Sequence, residues 1–377
     1  MMTKIYWSPW KHSRIALFLL AILGILGLLL IETCKVKKEQ SYFKKKLHAA
    51  KLAERGFQIL KPELLKHKKP DYKELDPTNS GFIGDFLTPV TSNSGSLSAK
   101  QTSINPNFAA VMIQFLKKAK LEEGDTVAVA VSGSFPALNL CLYAALETLK
   151  LKPIIISSAS ASQFGANHPQ MLWLDMEREL AESGIFSFKS SYASLGGIQD
   201  KAMGISKEGK ILLGLALQRN QVKLLDPLHF DDSIEKRMKL YEELSGGKPI
   251  KLFVNVGGGT TILGTNLGKQ VFKNGLITNL PEEVHVPNSV IKSFLEREVP
   301  VINFIQIESL ARKFGLPQTP KKVPKPGEGR VFYSEEYSPI LYLSVFLFLL
   351  VGLYGVTRLG WGENEEDRHL PKSLRAK

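Results

Sequence analysis

The stretch Thr126–Asn139, TVAVAVSGSFPALN, restricts the fold more than any other part of the chain. Val127 to Val131 is apolar at every position rather than at every second one. That is the pattern of a strand covered on both faces, and such strands belong to parallel sheets. The run breaks at Ser132-Gly133-Ser134, and an apolar helical spacing (Leu138, Leu140, Leu142, Leu146, Leu149) follows at once. Gly133 permits a sharp turn, Ser132 or Ser134 has the side chain to cap the helix, and Pro136 suits a first-turn position where no N–H is needed. A helix start of this kind favours an anion, and it is equally how a plain strand-to-helix turn is built.

The alternation continues along the chain. A helix over Phe108–Lys120 leads through Glu122-Glu123-Gly124-Asp125 into the opening strand, followed by a helix over Ala137–Lys150 and a strand over Pro153–Ser157. Met171–Ser183 has helical spacing ended by Gly184, and Ile211–Leu217 suits a strand or a buried helix. Asp231–Leu244 predicts a helix, Lys251–Val256 a buried strand, Val290–Arg297 and Ser309–Phe314 helices, with VPVINFI between them as a last strand. Strands separated by helices imply right-handed crossovers. The expected fold class is therefore α/β, a largely parallel sheet with helices on both faces, flanked by one transmembrane helix at each end.

Those flanking helices are two uncharged runs. Ile15–Ile31 follows Lys4, Lys11, Arg14, Trp7 and Trp10 and reads as a transmembrane helix or signal anchor. No small-x-small site follows it, which argues against a cleaved signal peptide. Pro339–Val356 is the second span, with Tyr337, Tyr354 and Trp361 as interfacial anchors. The predicted order is a short basic tail (1–14), a span (15–31), a basic amphipathic stalk (32–74), the α/β domain (75–318), a Pro/Lys linker (319–338), a span (339–356) and a polar tail (357–377). Two spans leave both tails on one side of the cell membrane. Local charge slightly favours a cytoplasmic core, whereas a short basic N-terminal tail normally stays inside and long domains cross regardless of charge, so the expectation is an extracytoplasmic domain.

The 377 residues, 44% hydrophobic, suffice for one large or two modest domains, and the net charge of +13 would suggest nucleic acid in a soluble chain. Here much of the charge lies beside the spans. Lys35, Lys37, Lys38, Lys44, Lys45 and Lys46 suit anionic headgroups or polymer, and with no zinc-finger spacing or RNP-like motif no nucleic-acid partner is expected. Two cysteines, Cys34 and Cys141, exclude a disulfide framework, and Glu32-Thr33 before Cys34 makes a poor lipidation box.

Two glycine-containing strand ends, Ser132-Gly133-Ser134 and Gly257-Gly258-Gly259-Thr260-Thr261, fall on one edge of a parallel sheet and can form one ligand-binding cleft. Neither is a Walker A loop or a G-x-G-x-x-G fingerprint, so no nucleotide and no other cofactor is expected, although a glycine nest can hold an anion. The triple glycine also suits a close backbone crossing. The segment Thr88–Asn107, long for a featureless connection, is either disordered or a binding loop, and Lys100 is its only charged side chain. The polar loop Gln163–His168 adds Asn167 and His168 as ligand contacts on the same edge.

Ser134 stands where a nucleophile elbow places its serine, but Ser132 and Pro136 replace the elbow's glycines. Its possible bases are Lys100, His168, Asp175, His229 and His285, none fixed by spacing. His229-Phe230-Asp231-Asp232 suggests a metal, but Asp231 or Asp232 capping the next helix explains it more simply, so no metal is expected.

In the strings INPNFAA (Ile104–Ala110), VSGSFPALN (Val131–Asn139) and VNVGGGTT (Val254–Thr261), the chain resembles the poly-gamma-glutamate system protein family, PgsW-like. The resemblance covers most of the region from Gly81 to Pro317 and includes the spans. It implies a membrane-anchored accessory component of poly-gamma-glutamate synthesis or export, for capsule or released polymer, whose partners are the anionic polymer or its membrane synthetase complex. It supplies a pathway and no catalytic residues. The alternative is a serine-dependent hydrolase or transferase acting on the polymer through Ser134.

Overall fold

A strand that is apolar at every position needs a neighbour on each edge and a layer on each face, and Thr126–Ser132 has all four. The computed structural model describes residues 14–68, 72–282 and 285–358. Within them the central sheet has seven strands, labelled in chain order β1 (Thr126–Ser132), β2 (Lys152–Ser158), β3 (Tyr192–Ser194), β4 (Lys223–Leu224), β5 (Ile250–Val256), β6 (Gly275–Ile277) and β7 (Val301–Phe304). Their spatial order is β4-β3-β2-β1-β5-β7-β6, parallel throughout except for β6, which runs antiparallel to β7 at the edge. β1 pairs with β2 from Thr126 opposite Lys152 to Ser132 opposite Ser158, and with β5 from Val127 opposite Leu252 to Val131 opposite Val256. The chain moves outward from β1 to β4, then returns to the other side of β1 as β5. Strand order reverses between β1 and β5, and the crevice at such a reversal is where open α/β sheets bind ligands.

Alternate residues build the two faces. Ala128, Ala130, Ile156, Phe253 and Val301 pack with Tyr241 and Met238 of the Phe230–Ser245 helix and Phe294 of the Val290–Glu296 helix. The small alanines leave room for the Tyr241, Phe253 and Phe294 rings, the last two stacked with centroids 4.6 Å apart. Burying each such ring contributes about 1.5–3 kcal/mol. The opposite face carries Val129, Val254 and Phe304; Phe304 meets Phe115 of the Phe108–Lys118 helix edge-on, and the Phe43–Lys66 and Pro136–Thr148 helices complete that layer.

The chain divides into two units, one comprising the segments up to Glu39 and from Tyr333, the other Gln40–Phe332. This redraws the predicted boundaries. The expected 32–74 stalk is split: Val36–Glu39 pairs antiparallel with Tyr333–Glu336 in the first unit, whereas Phe43–Lys66 is a core helix of the second. Its Ala49, Ala53, Gly56, Leu60 and Leu64 are buried, and a Cβ at Gly56 would lie 2.8 Å from Leu140 Cδ2, so that side chain would have to move. Lys46, assigned from sequence to the basic membrane face, is buried instead, donating to the Val331 carbonyl at 2.9 Å, and burial lowers it to about 8. The 319–338 linker is likewise mostly part of the second unit. Asn107 donates to the Lys325 carbonyl at 2.8 Å and accepts from the Gly327 N–H at 2.9 Å, and Val331 and Phe332 are buried.

Ile211–Leu217 lies within a helix, Lys207–Arg219, whose Leu213, Ala216 and Leu217 are buried while Ile211 and Leu215 face outward. Thr88–Asn107 is ordered and contains a short helix, Leu97–Ser103, capped by Ser96. In the first unit the Arg14–Thr33 and Pro339–Arg358 helices pack together, and each contains a stretch long and apolar enough to cross a membrane, Ile15–Thr33 and Pro339–Val356. The predicted tails, with Trp7, Trp10 and Trp361, lie outside the described residues apart from Arg14, Thr357 and Arg358.

Candidate functional site

β1 ends at Ser132, and its carbonyl accepts from the Asn139 side chain at 2.8 Å, which ties the strand end to the first turn of the Pro136–Thr148 helix. Neither predicted serine caps that helix. Phe135 stands at the capping position without a side-chain bond, Ser132 Oγ accepts from the Ser134 N–H at 3.3 Å, and Ser134 Oγ accepts from the Ser162 N–H at 3.1 Å. Gly133 is a close crossing: a Cβ there would lie 2.9 Å from the Ala161 Cβ, and its carbonyl accepts from the Ala166 N–H at 2.7 Å.

The β5 end is shaped from within the sheet. Asn255, buried, donates to the Gly257 carbonyl and to the Asn303 side chain of β7, each at 2.8 Å. Gly257 then turns with φ +114°, a conformation that side-chain-bearing residues rarely adopt. Gly258, Gly259, Thr260 and Thr261 follow, and the Thr260 hydroxyl accepts from the Gln199 N–H at 3.0 Å.

Between the two strand ends lies a cleft of about 400 Å³. Its remaining walls are the Ser92–Ser96 turn with Lys100, the serines at 158, 160 and 162 after β2, the Gly197–Asp200 loop, and Lys269. Of the residues expected from sequence, Lys100, Ser132, Ser134, Gly258, Gly259, Thr260 and Thr261 line it. Gly133 and Gly257 shape its backbone without lining it. Asn167 and His168 lie elsewhere: the Asn167 side chain straps the Asp85 backbone and Thr91, and the His168 ring packs against His67 with centroids 4.6 Å apart. Asp175 is held by Arg219, Asn220 and the Leu172 N–H. His229, not Asp231 or Asp232, caps the Phe230–Ser245 helix, its Nδ1 accepting from the Asp232 N–H at 3.2 Å. His285 is exposed and outside the cleft. Ser134 therefore has none of the proposed bases hydrogen-bonded to its hydroxyl.

Lys100 is the unusual group. It is 3% exposed, donates to the Ser134 carbonyl, lies 2.7 Å from Ser162 Oγ, and sits 4.0 Å from the Phe135 ring centroid. Among the described residues no carboxylate pairs with it, and burial lowers its pKa to about 7. Asp200, in the same cleft wall, is committed elsewhere. Burial pushes its carboxyl up, but Arg237 at 2.8 Å and the Ser194 and Ser233 hydroxyls outweigh that and hold it below the ordinary value.

Sequence reading missed Asp200, Arg237, Lys269 and Ser158, Ser160 and Ser162. The serines had a signal: SSASAS follows β2 as SGS follows β1, at the same sheet edge. Among the described residues no group of three or more His, Cys, Asp or Glu is placed to hold a metal. The cleft thus offers hydroxyls, glycine backbone and two lysines, a set suited to oxygen-rich anions.

No family model, curated protein or solved structure matches the chain.

Proposed function

We propose that the protein is a two-pass membrane-anchored accessory component of poly-gamma-glutamate synthesis or export, and that its cleft holds a carboxylate-bearing stretch of the polymer. One observation carries this reading: Lys100 and Lys269 line the cleft, and neither is paired with a carboxylate among the described residues. Lys100 is buried and Lys269 exposed; an incoming carboxylate pairs with Lys269 and favours the charged form of Lys100. Two of the three strings behind the family resemblance, VSGSFPALN and VNVGGGTT, meet at this cleft. The volume lies within the range of sites that take small ligands or chain segments. The short basic N-terminal tail favours both tails inside and the Gln40–Phe332 unit outside.

The test is binding of poly-gamma-glutamate by the full-length protein in detergent. Affinity should fall steeply between 50 and 300 mM salt and drop at least tenfold in Lys269→Glu. Unchanged polymer output after gene deletion, together with no binding at low salt, would refute the proposal. A second reading, a serine-dependent hydrolase or transferase, draws on the contact between Lys100 and Ser162 rather than on Ser134.

A further inference from the structure

We infer that Ser162 and Lys100 form a nucleophile–base pair that cleaves or transfers acyl groups in the cleft. Lys100 Nζ lies 2.7 Å from Ser162 Oγ, the separation at which a hydroxyl proton passes to an amine. Lys100 is the only hydrogen-bond partner of that hydroxyl among the described residues. The amine is fixed from its other side by donation to the Ser134 carbonyl, and the serine is fixed by its own N–H donating to Ser134 Oγ at 3.1 Å. Both residues line the cleft while being only 3% and 6% exposed, so bulk water has little access to the pair.

A neutral lysine amine has two N–H groups and one lone pair. With an N–H on the Ser134 carbonyl, the lone pair is available to the Ser162 hydroxyl. Burial lowers Lys100 to about 7, so part of it is neutral at neutral pH, and Asp200, the carboxylate in the same wall, does not counteract this because Arg237 neutralises its charge; among the described residues Lys269 is the other charged group lining the cleft.

The reaction is redox-neutral. Ser162 Oγ bonds to the acyl carbon as its proton moves to Lys100 Nζ and the carbonyl pair moves onto oxygen. The oxyanion collapses, the carbon–nitrogen or carbon–oxygen bond breaks, and the leaving group takes the proton from Lys100. Water or an acceptor amine then attacks the Ser162 ester, giving its proton to Lys100, and Ser162 recovers that proton on departure. The identity of the acyl chain as polyglutamate rests on the preceding proposal; the pair itself does not.

Full-length protein in detergent is treated with a fluorophosphonate probe, and the adduct is located by peptide mass spectrometry. The expected adduct is on Ser162, absent in Ser162→Ala, and formed about a hundredfold or more slowly in Lys100→Met. The wild-type labelling rate should rise with pH through a group titrating near 7, and that limb should vanish in Lys100→Met. Circular dichroism and melting of each variant establish that it is folded. No adduct on Ser162, or labelling of a folded Lys100→Met protein at the wild-type rate, overturns the inference. Loss of polymer binding with Ser162 labelling intact would overturn only the polyglutamate reading, and the converse only the Ser162–Lys100 pair.

Discussion

Replacing Lys100 by Met should make the protein more stable at neutral pH and less dependent on pH. The lysine value falls from 10.5 to about 7, and at ~1.4 kcal/mol per pH unit the interval amounts to at most about 5 kcal/mol of lost stability at and below neutrality. The sign follows from proton counting. Between pH 7 and 10.5 the unfolded chain holds the Lys100 proton and the folded chain does not, so wild-type stability rises with pH across that window. Methionine fills nearly the same volume and carries no charge, but it leaves the Ser134 carbonyl without its donor, at a cost of about 1–3 kcal/mol. The net expectation is a gain of about 2–4 kcal/mol for Lys100→Met at pH 6, shrinking or reversing by pH 10. Urea unfolding of both proteins in one detergent at pH 6, 8 and 10 gives the difference curve, in which all other titrations cancel. A difference that does not change with pH would refute the claim that Lys100 is a desolvated lysine without a carboxylate partner.

Three further perturbations test the frame around the cleft. Asp200→Asn leaves Arg237 buried and charged without its partner and should cost about 3–5 kcal/mol in chemical denaturation, more than replacing both residues by apolar ones. Glu177 is buried against Tyr143 and Ser190, and burial raises it from 4.5 to about 7. The folded chain therefore keeps a proton that the unfolded chain loses, and the contribution is complete below pH 4.5 and lost as pH rises to about 7; Glu177→Gln should flatten that limb in urea midpoints taken at pH 5 and 7.5. Gly133→Ala places a methyl 2.9 Å from the Ala161 Cβ and should lower stability by about 1–3 kcal/mol, read as a fall in melting temperature with secondary structure retained.

The strand-and-turn core of the site was legible because its cause is local. A run apolar on both faces required a central strand, and Gly257 at the end of β5 required a turn that other residues resist. The Phe43–Lys66 helix was assigned to a stalk because its lysines dominate composition, whereas Ala49, Ala53, Gly56, Phe57, Leu60 and Leu64 form a buried stripe, with Gly56 against Leu140. Lys100 was recognised as the lone charge of its loop, but its relation to Ser162 depends on folding together residues 62 positions apart. Arg237 and Asp200 lay hidden for the same reason, one inside an amphipathic helix and the other in a loop with no motif. Asn167 and His168 looked like cleft residues because they follow β2, yet the chain turns back at Gly165 and uses Asn167 to pin the Asp85 segment.

Gln40 donates its N–H to the Phe332 carbonyl at 2.8 Å, so the large unit begins and ends at adjacent residues. During synthesis this clasp can close only once Phe332 has been made. The Arg14–Thr33 helix leaves the ribosome before its partner, Pro339–Arg358, by an interval on the order of tens of seconds at ordinary elongation rates. Throughout that interval the first helix has no second helix to pack against, and Val36–Glu39 has no strand to pair with. The Arg14–Thr33 helix therefore stays without its helix partner while the intervening unit is made, and the two ends can join only after every strand of the central sheet has been synthesised.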